Sequence, residues 1–155
     1  MVDIRPTTIG DLDAIVALDL ELFGPESWSI EAHRDELTNR FRGYLTVTDG
    51  RDIVGWGGVI LSPVSDLLTI GVARSHQGRG IGARLLDELM ATAIEGGARE
   101  MFLEVRADDD GAQRLYRRAG FEAIAVRPNY YPATGADAVV MRRDLAESPK
   151  TAHSA

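Results

Sequence analysis

Three glycines stand close together where an apolar, strand-like run gives way to a helix-like pattern. They are Gly78, Gly80 and Gly82, which follow the run 67–72 and surround the start of a helical pattern at Ile81. Glycine backbones can turn their N–H groups inward at such a junction, where the first N–H groups of a helix lack intrahelical partners. Because those groups carry partial positive charge, the spacing predicts an anion cradle suited to a pyrophosphate.

Two other interpretations of the same glycines stay open at this point. The loop could be a tight strand-to-helix turn that requires glycine only for its backbone angles. Gly78-x-Gly80-x-x-Ala83 also fits the dinucleotide-binding pattern, with Glu104 near the distance expected of its ribose-binding acid. Residues 73–77 separate the strand from the first glycine, however, and the chain that follows is too short for a second mononucleotide half.

One carboxylate lies on the polar face of a predicted strand, 101–106. Alternate residues of that strand are apolar, so Glu104 points to the opposite face together with Phe102 and Arg106. Glu104 is either a general base or a solvated side chain paired with Arg106, and the strand pattern alone leaves both open.

Aromatic side chains occupy four further positions of interest. Tyr116 falls on the apolar stripe of a predicted helix and could be a core residue whose hydroxyl binds a backbone carbonyl. Tyr130 and Tyr131 stand between prolines in a predicted connection between the last two strands, where they could form a lid or anchor a peptide. Trp28, which follows Gly24-Pro25, could form the opposite wall.

Length and composition favour one compact domain. The chain has 155 residues, of which we expect 1–145 to form a single domain and 146–155 a small, polar tail. Lys plus Arg number 17 against 24 Asp plus Glu, which gives a net charge of −7. This charge argues against direct binding to nucleic acid or to an anionic membrane, and it would attract a basic peptide.

Cysteine is absent, which excludes disulfides, thiolate metal ligands and a cysteine nucleophile. The three histidines have no metal-binding spacing, so we expect no metal cofactor. No apolar run approaches the ~18 residues that a membrane-spanning helix requires. We therefore expect a cytoplasmic protein.

Hydrophobic periodicity predicts the elements that position these residues. Strands are expected at 2–5, 44–48, 53–61, 67–72, 101–106, 121–126 and 138–142, and helices at 9–23, 29–41, 81–95 and 112–119. The apolar stripe of the 81–95 helix comprises Ile81, Leu85, Leu86, Leu89, Met90, Ala93 and Ile94. This order predicts an α+β fold with a mixed, mostly antiparallel sheet flanked by about four helices.

Two motifs resemble those of the GCN5-related N-acetyltransferase (GNAT) superfamily. Gln77-x-x-Gly80-x-Gly82 resembles its coenzyme A pyrophosphate loop, and Ala112-x-x-Leu115-Tyr116-x-x-x-Gly120-Phe121 resembles its second motif. The predicted order of elements also agrees with that fold. The resemblance implies an acyltransferase that uses acetyl-CoA as co-substrate.

A narrower resemblance is to the bacterial enzymes that acetylate the N-terminal alanine of a ribosomal small-subunit protein. It rests on Phe102–Arg106, Arg127–Pro132, Asp137–Met141 and the pair Trp28-Ser29 after Phe23. It implies transfer to an N-terminal α-amine, with the N-terminal peptide of a ribosomal protein as partner and transient docking on that protein.

Position by position, the resemblance implies roles for individual residues. Glu104 would be the general base and Tyr116 the general acid, while Trp28, Tyr130 and Tyr131 would bind the acceptor. The expected coenzyme contacts are Ile70, Gly71, Val72, Gln77, Gly78, Arg79, Gly80, Ile81, Gly82, Ala83 and Asp109. Asp109 stands where the superfamily usually has asparagine, and an ionised carboxylate accepts a hydrogen bond but cannot donate one.

Elementary chemistry is consistent with this acceptor. Without cysteine the chain cannot form a thioester of its own, so direct attack in a ternary complex is expected. Neutralising an α-amine at pH 7 costs about 1 kcal/mol, against ~4.6 kcal/mol for a lysine, so a weak base such as glutamate suits the α-amine better. Acetylation of a lysine or small amine, and a non-catalytic acetyl-CoA sensor, remain the alternatives.

Overall fold

The computed structural model describes residues 1–146, so the predicted tail lies outside the described residues apart from Ala146. Within that range the chain forms seven strands and four α-helices. In chain order they are β1 (Val2–Pro6), α1 (Leu12–Phe23), α2 (Ile30–Leu37), β2 (Arg42–Asp49), β3 (Asp52–Ile60), β4 (Val64–Val72), α3 (Ile81–Glu95), β5 (Glu100–Arg106), α4 (Asp110–Arg118), β6 (Glu122–Tyr131) and β7 (Ala136–Asp144).

All seven strands belong to one sheet, in the order β1-β2-β3-β4-β5-β7-β6. Neighbouring strands are antiparallel except β4 and β5, which are parallel. The prediction of a mixed, mostly antiparallel sheet with four helices is confirmed.

The two parallel strands separate soon after they meet. β4 pairs with β5 only where Val64–Asp66 faces Glu100–Phe102. Beyond that point β4 continues beside β3, and β5 continues beside β7. The later halves of β4 and β5 are therefore not hydrogen-bonded to each other, and a wedge opens between them in the middle of the sheet.

Helices cover both faces of the first half of the sheet. Tyr44 and Leu45 are neighbours in β2 and point to opposite faces; Tyr44 packs with α1, and Leu45 belongs to the cluster that contains α3. The stripe of α3 is buried as predicted except at Ile94, which is 43% exposed. Ile94 stands at the last turn of the helix, beyond the layer of side chains that meets the sheet.

Two predicted boundaries are wrong by four residues or more. α2 begins after Ser29 as predicted, with the Ser29 hydroxyl accepting from Ala32 N–H, but it ends at Leu37 rather than near residue 41. The Thr38 hydroxyl donates to a carbonyl in the last turn, and the Asn39 side chain accepts from the N–H two residues on. These local bonds compete with helix continuation.

The second wrong boundary concerns the last hairpin. Tyr130 and Tyr131 belong to β6 and not to the connection that follows it, which is residues 132–135. Pro128, which suggested a loop, is tolerated because β6 is the edge of the sheet and one of its sides has no strand neighbour.

Candidate active site

A cleft of about 480 Å³ lies in the wedge between β4 and β5. Its walls come from the later half of β4, the later half of β5, the first turns of α3 and α4, and the connection that follows α1. Ten of the residues predicted to act in catalysis or binding line it: Trp28, Ile70, Gly71, Val72, Gln77, Gly82, Glu104, Asp109, Tyr116 and Tyr131.

The glycine loop forms the end of the cleft where α3 begins. Gly78 and Gly80 have φ angles of 78° and 81°, a left-handed conformation that residues with a side chain rarely adopt. Gly80 is the N-cap of α3 and supplies no side-chain bond, so the first N–H groups of this helix have no capping group. Gly82 adds a surface without a side chain beside them, an arrangement of exposed N–H groups that suits an anion.

The structure places the other predicted coenzyme contacts in different surroundings. Gln77 donates from Nε2 to the Val72 carbonyl at 2.9 Å, which ties the loop to the end of β4. Arg79 and Ala83, like Gly78 and Gly80, lie in the loop and the first turn of α3 but do not line the cleft itself. The Ile81 side chain is buried in the core, so only its backbone is available to a ligand.

Gly71 has no side chain because another side chain occupies that space. It pairs with Trp56 of β3, and a Cβ at Gly71 would lie 2.6 Å from the Trp56 ring. Trp56 is fully buried. The close approach of this ring to β4 fixes the wall of the cleft on which Ile70, Gly71 and Val72 lie.

Glu104 points away from the core on β5, as predicted, and its carboxylate is not paired with Arg106. Arg106 instead contacts Glu26 and Asp108. Glu104 Oε1 accepts a hydrogen bond from the Tyr130 hydroxyl at 3.1 Å. The carboxylate is therefore held in place by a neutral donor and not by an ion pair.

A bulge in β6 brings Tyr130 to Glu104. Arg127 faces Ala138 and Tyr131 faces Ala136, so three residues of β6 stand opposite one residue of β7. Asn129, in the middle of them, has a φ of 54°, and its N–H donates to the Asp137 carboxylate at 2.9 Å. Such a bulge re-aims a side chain.

Sequence reasoning missed Asp66, which lies near Glu104. Asp66 lies on β4 and pairs with Phe102 of β5. Phe102 is two residues before Glu104, so the three side chains lie on the same face of the sheet. Burial, followed by the negative charge of Glu104, raises the pKa of Asp66 above its ordinary value. The available signal in the sequence was a carboxylate directly before the predicted strand 67–72, at a position that the structure places inside β4.

Tyr116 lies on the wall of the cleft that α4 forms, and it is only 7% exposed. Its ring packs edge-to-face on Phe121, with the ring centres 6.1 Å apart. No group in residues 1–146 forms a hydrogen bond with its hydroxyl, although the residue lines the cleft. Burial, followed by the charge of Asp109 and the proximity of Tyr131, raises the pKa of Tyr116.

Asp109 is the N-cap of α4, a role that the sequence did not reveal. Its carboxylate accepts from Ala112 N–H at 3.0 Å while the residue lines the cleft. Aspartate is among the best N-cap residues, so this carboxylate has a structural function whether or not it also contacts a ligand.

Trp28 is held by a buried pair that the sequence also did not reveal. Asp19 Oδ2 accepts from Trp28 N–H at 2.9 Å and lies 2.6 Å from His33 Nε2. The Trp28 and His33 rings are 5.2 Å apart. His33 is fully buried and Asp19 nearly so, and their separation of fourteen positions gave no periodic signal.

Tyr131 of β6 also lines the cleft. The Arg106 guanidinium lies 5.5 Å from the centre of its ring. Burial, followed by the neighbouring Tyr130, raises the pKa of Tyr131 to about 12. Tyr130 and Tyr131 pack edge-to-face with their ring centres 5.0 Å apart.

Within residues 1–146, no group of three or more His, Asp or Glu side chains could hold a metal ion. No helix in the same part of the chain is both long and apolar enough to cross a bilayer.

Comparison with known proteins identifies relatives over almost the whole chain. N-alpha-acetyltransferase RimI of Mycobacterium tuberculosis is 40% identical over 153 residues, which cover 92% of this chain and 95% of that protein. An uncharacterized protein of Mycobacterium leprae is 39% identical over 153 residues, which cover 92% of this chain but 42% of that longer protein.

The fold has close counterparts among solved structures. The crystal structure of the ribosomal-protein-S18-alanine N-acetyltransferase from Escherichia coli superposes with a TM-score of 0.87, covering 97% of each chain at 24% sequence identity. Residues 12–121, which contain the glycine loop, Glu104 and Tyr116, match the model of the acetyltransferase (GNAT) family. The chain therefore belongs to the GNAT family of acetyltransferases.

Proposed function

We propose that this protein transfers the acetyl group of acetyl-CoA to the N-terminal α-amine of a protein. The acceptor is the N-terminal peptide of a ribosomal small-subunit protein that begins with alanine. One observation supports this most directly: Gln77 and Gly82 at the two ends of the glycine loop line the same cleft as Glu104 and Tyr116, where β4 and β5 separate. The names of the M. tuberculosis and E. coli relatives support the same acceptor class.

The groups at the loop end of the cleft fit a coenzyme A thioester. The left-handed glycines Gly78 and Gly80 present backbone N–H groups to a pyrophosphate at the start of a fifteen-residue helix. Ile70–Val72 have no ladder partner on the β5 side, so their backbone groups can pair with the amide groups of a pantetheine arm. No metal is required by this scheme.

Glu104 is the proposed general base. In the transfer, the acceptor nitrogen forms a bond with the acetyl carbonyl carbon, the C–S bond breaks, and the amine loses one proton. An α-amine is neutralised at little cost at pH 7, so a carboxylate that is not tied up in an ion pair is a sufficient acceptor for that proton, directly or through a water. The Tyr130 hydroxyl orients this carboxylate.

Tyr116 is the proposed proton donor to the departing sulfur. Its hydroxyl has no partner among the described residues and lies on the cleft wall. Since its pKa is raised, complete transfer to a thiolate is uphill, and a hydrogen bond to the sulfur is the main contribution that we assign to it. Coenzyme A then leaves as a thiolate that accepts this hydrogen bond, and the proton that Glu104 took from the amine passes to solvent.

The acceptor side of the cleft suits the end of a basic peptide. Trp28 and Tyr131 each contribute an aromatic wall to the cleft, and Asp66 adds a second carboxylate near Glu104. A negative site attracts an α-ammonium group and a basic chain before the proton is removed. We place the reaction in the cytoplasm, where ribosomal proteins are synthesised.

We also propose that residues 1–145 form one acetyltransferase domain. Leu145 is buried in the same core cluster as Leu45 and Leu85, and its N–H donates to the Arg99 carbonyl at 2.9 Å. The cluster thus links the first half of the sheet to the end of the last strand.

A Glu104→Gln variant tests this function against a sensor that binds acetyl-CoA without turnover. The amide keeps the size of the side chain and its acceptor for Tyr130, so acetyl-CoA binding by calorimetry should stay within about twofold. The rate of acetylation of an alanine-initiated peptide should fall by about a hundredfold or more. Equal rates for the variant and the unmodified chain would contradict the assignment of Glu104, and no turnover by either would favour the sensor.

A further inference from the structure

Three side chains from distant parts of the sequence meet above the acceptor end of the cleft. Glu26 lies in the short turn that follows α1, Arg106 ends β5, and Thr134 lies in the connection between β6 and β7. We propose that these three residues form a latch that joins the two walls of the acceptor site and positions them for the incoming peptide. The latch is a deeper account of the proposed function and rests on it.

Distances show that the contacts are mutual. Arg106 Nη1 donates to both carboxylate oxygens of Glu26 at 2.7 Å. The Thr134 hydroxyl donates to Glu26 Oε2 at 2.9 Å, and Arg106 Nη1 lies 3.2 Å from the same hydroxyl oxygen. Each of the three side chains therefore touches the other two.

The latch connects the elements that carry the aromatic walls. Glu26 is two residues before Trp28, and Thr134 is three residues after Tyr131. The Arg106 guanidinium also packs over the Tyr131 ring. Glu26 and Thr134 are 108 positions apart, so no local connection along the chain holds these two walls in register, and the contacts among the three side chains join them directly.

Partial burial makes these contacts stronger than an ordinary surface ion pair. The Glu26 and Arg106 side chains are 16% and 30% exposed, so solvent screens them less than it screens a fully exposed pair. Asp108 holds Arg106 from the other side, with Nε and Nη2 at 3.0 and 3.1 Å from its two oxygens. The guanidinium of Arg106 is thus held by Asp108 independently of its contacts with Glu26 and Thr134.

The expected consequence is preorganisation of the acceptor site. Walls that are already joined in the free protein need no ordering when a peptide binds, whereas separated walls must be ordered at the expense of binding. At saturating peptide the walls are closed in either case. Asp108 still holds Arg106 away from Glu104 when Glu26 or Thr134 is replaced, so loss of the latch should raise the KM for peptide and leave kcat and the KM for acetyl-CoA nearly unchanged.

Glu26→Ala and Thr134→Val each remove one of the two outer members of the latch. Arg106→Lys keeps the positive charge at its centre but loses the planar guanidinium that contacts several oxygens at once. We expect Glu26→Ala to raise the peptide KM about tenfold and Thr134→Val to raise it about threefold. Because both substitutions break the same set of contacts, the double variant should raise the peptide KM by less than the product of the two factors. Arg106→Lys should lie between Glu26→Ala and the unmodified chain. Glu100→Ala is the matched control, because it removes a 2.7 Å ion pair with Arg142 at the opposite end of β5.

Hydrogen exchange of the free protein tests the latch independently of activity. Glu26→Ala should increase exchange at 133–135, and Thr134→Val should increase it at 24–28, whereas Glu100→Ala should change neither. Exchange that stays local to each substitution would overturn the latch, as would a peptide KM that matches the Glu100→Ala control. Coupled exchange in a chain that acetylates no peptide would instead refute the proposed function and leave the joining of the two walls established.

Discussion

At the scale of single residues, the decisive feature is the difference between two neighbours on β5. Glu104 and Arg106 share one face of the strand, and a direct ion pair between them would occupy the proposed base. Glu26 and Asp108 take Arg106 instead, so Glu104 retains a carboxylate whose partner is the neutral Tyr130 hydroxyl. The chemistry of the base thus depends on where its neighbour is held.

Tyr130→Phe removes the one side-chain hydrogen bond that Glu104 forms within residues 1–146. We expect kcat/KM for the peptide to fall about threefold to tenfold, because the contact joins a phenol to a carboxylate and is partly exposed. Steady-state kinetics with both substrates varied would measure this. Acetyl-CoA affinity serves as the internal control, and a loss of that affinity equal to the loss of kcat/KM would contradict the role assigned to Tyr130.

The raised pKa of Tyr116 predicts the alkaline side of the pH–rate profile. Burial disfavours the charged phenolate, so Tyr116 keeps its proton at a pH where a free tyrosine, with a pKa of about 10, begins to ionise. The rate should rise as the α-amine loses its proton near pH ~8 and then stay level. A decline centred below about pH 9 that disappears in Tyr116→Phe would contradict this assignment.

At the scale of elements, the site depends on two departures from regular structure. β4 and β5 separate after three paired positions, which opens the cleft, and the bulge in β6 turns Tyr130 toward Glu104. Both lie where a regular sheet would have closed the space. The glycine loop then places the start of α3 at the mouth of the wedge.

The sequence predicted those elements whose signals are local. The stripe of α3, the hairpin of β2 and β3, and the left-handed glycines follow from spacing within a few residues. The bulge depends on Asp137 accepting from Asn129, and the latch depends on partners 108 positions apart. Neither leaves a periodic pattern, so the contacts of Arg106 and the position of Tyr130 could not be predicted from one sequence.

Gly80→Ala tests the glycine loop. A Cβ at Gly80 meets no atom within 4 Å, so the substitution introduces backbone strain of about 1 kcal/mol and no clash. We expect the acetyl-CoA Kd to rise about tenfold as the loop relaxes away from the left-handed conformation. Calorimetric titration would measure this.

Gly97→Ala is the matched control for that loop. Gly97 has a φ of 101°, also has no atom within 4 Å of a Cβ, and lies beyond the other end of α3. Both variants should lower the Tm by about 2–4 °C. Equal effects of the two variants on acetyl-CoA binding would show that the loop does not hold the pyrophosphate.

At the scale of the whole molecule, the larger of two buried clusters joins both halves of the sheet around the cleft. The larger buried cluster draws on residues from β2 through to Leu145, and α3 lies at its centre. A net charge of −7 on this chain disfavours binding to nucleic acid and favours encounter with a basic peptide.

Acetyl-CoA should stabilise the whole domain as one unit. At a concentration of 100 times its Kd, a ligand that binds only the folded state adds about 2.7 kcal/mol, which corresponds to an increase in Tm of about 5–10 °C for a chain of this size. Differential scanning calorimetry should show one transition that moves as a whole. A second transition that does not respond to the ligand would contradict the single domain.

Locating the acetyl group on a peptide is the most direct test of the central claim. Tandem mass spectrometry would follow an alanine-initiated peptide with one internal lysine, incubated with acetyl-CoA and this protein, with the N-terminus either free or blocked. The expected result is one acetyl group on the terminal nitrogen of the free peptide and none on the blocked one. Modification of the lysine at the same rate in both peptides would contradict the claim.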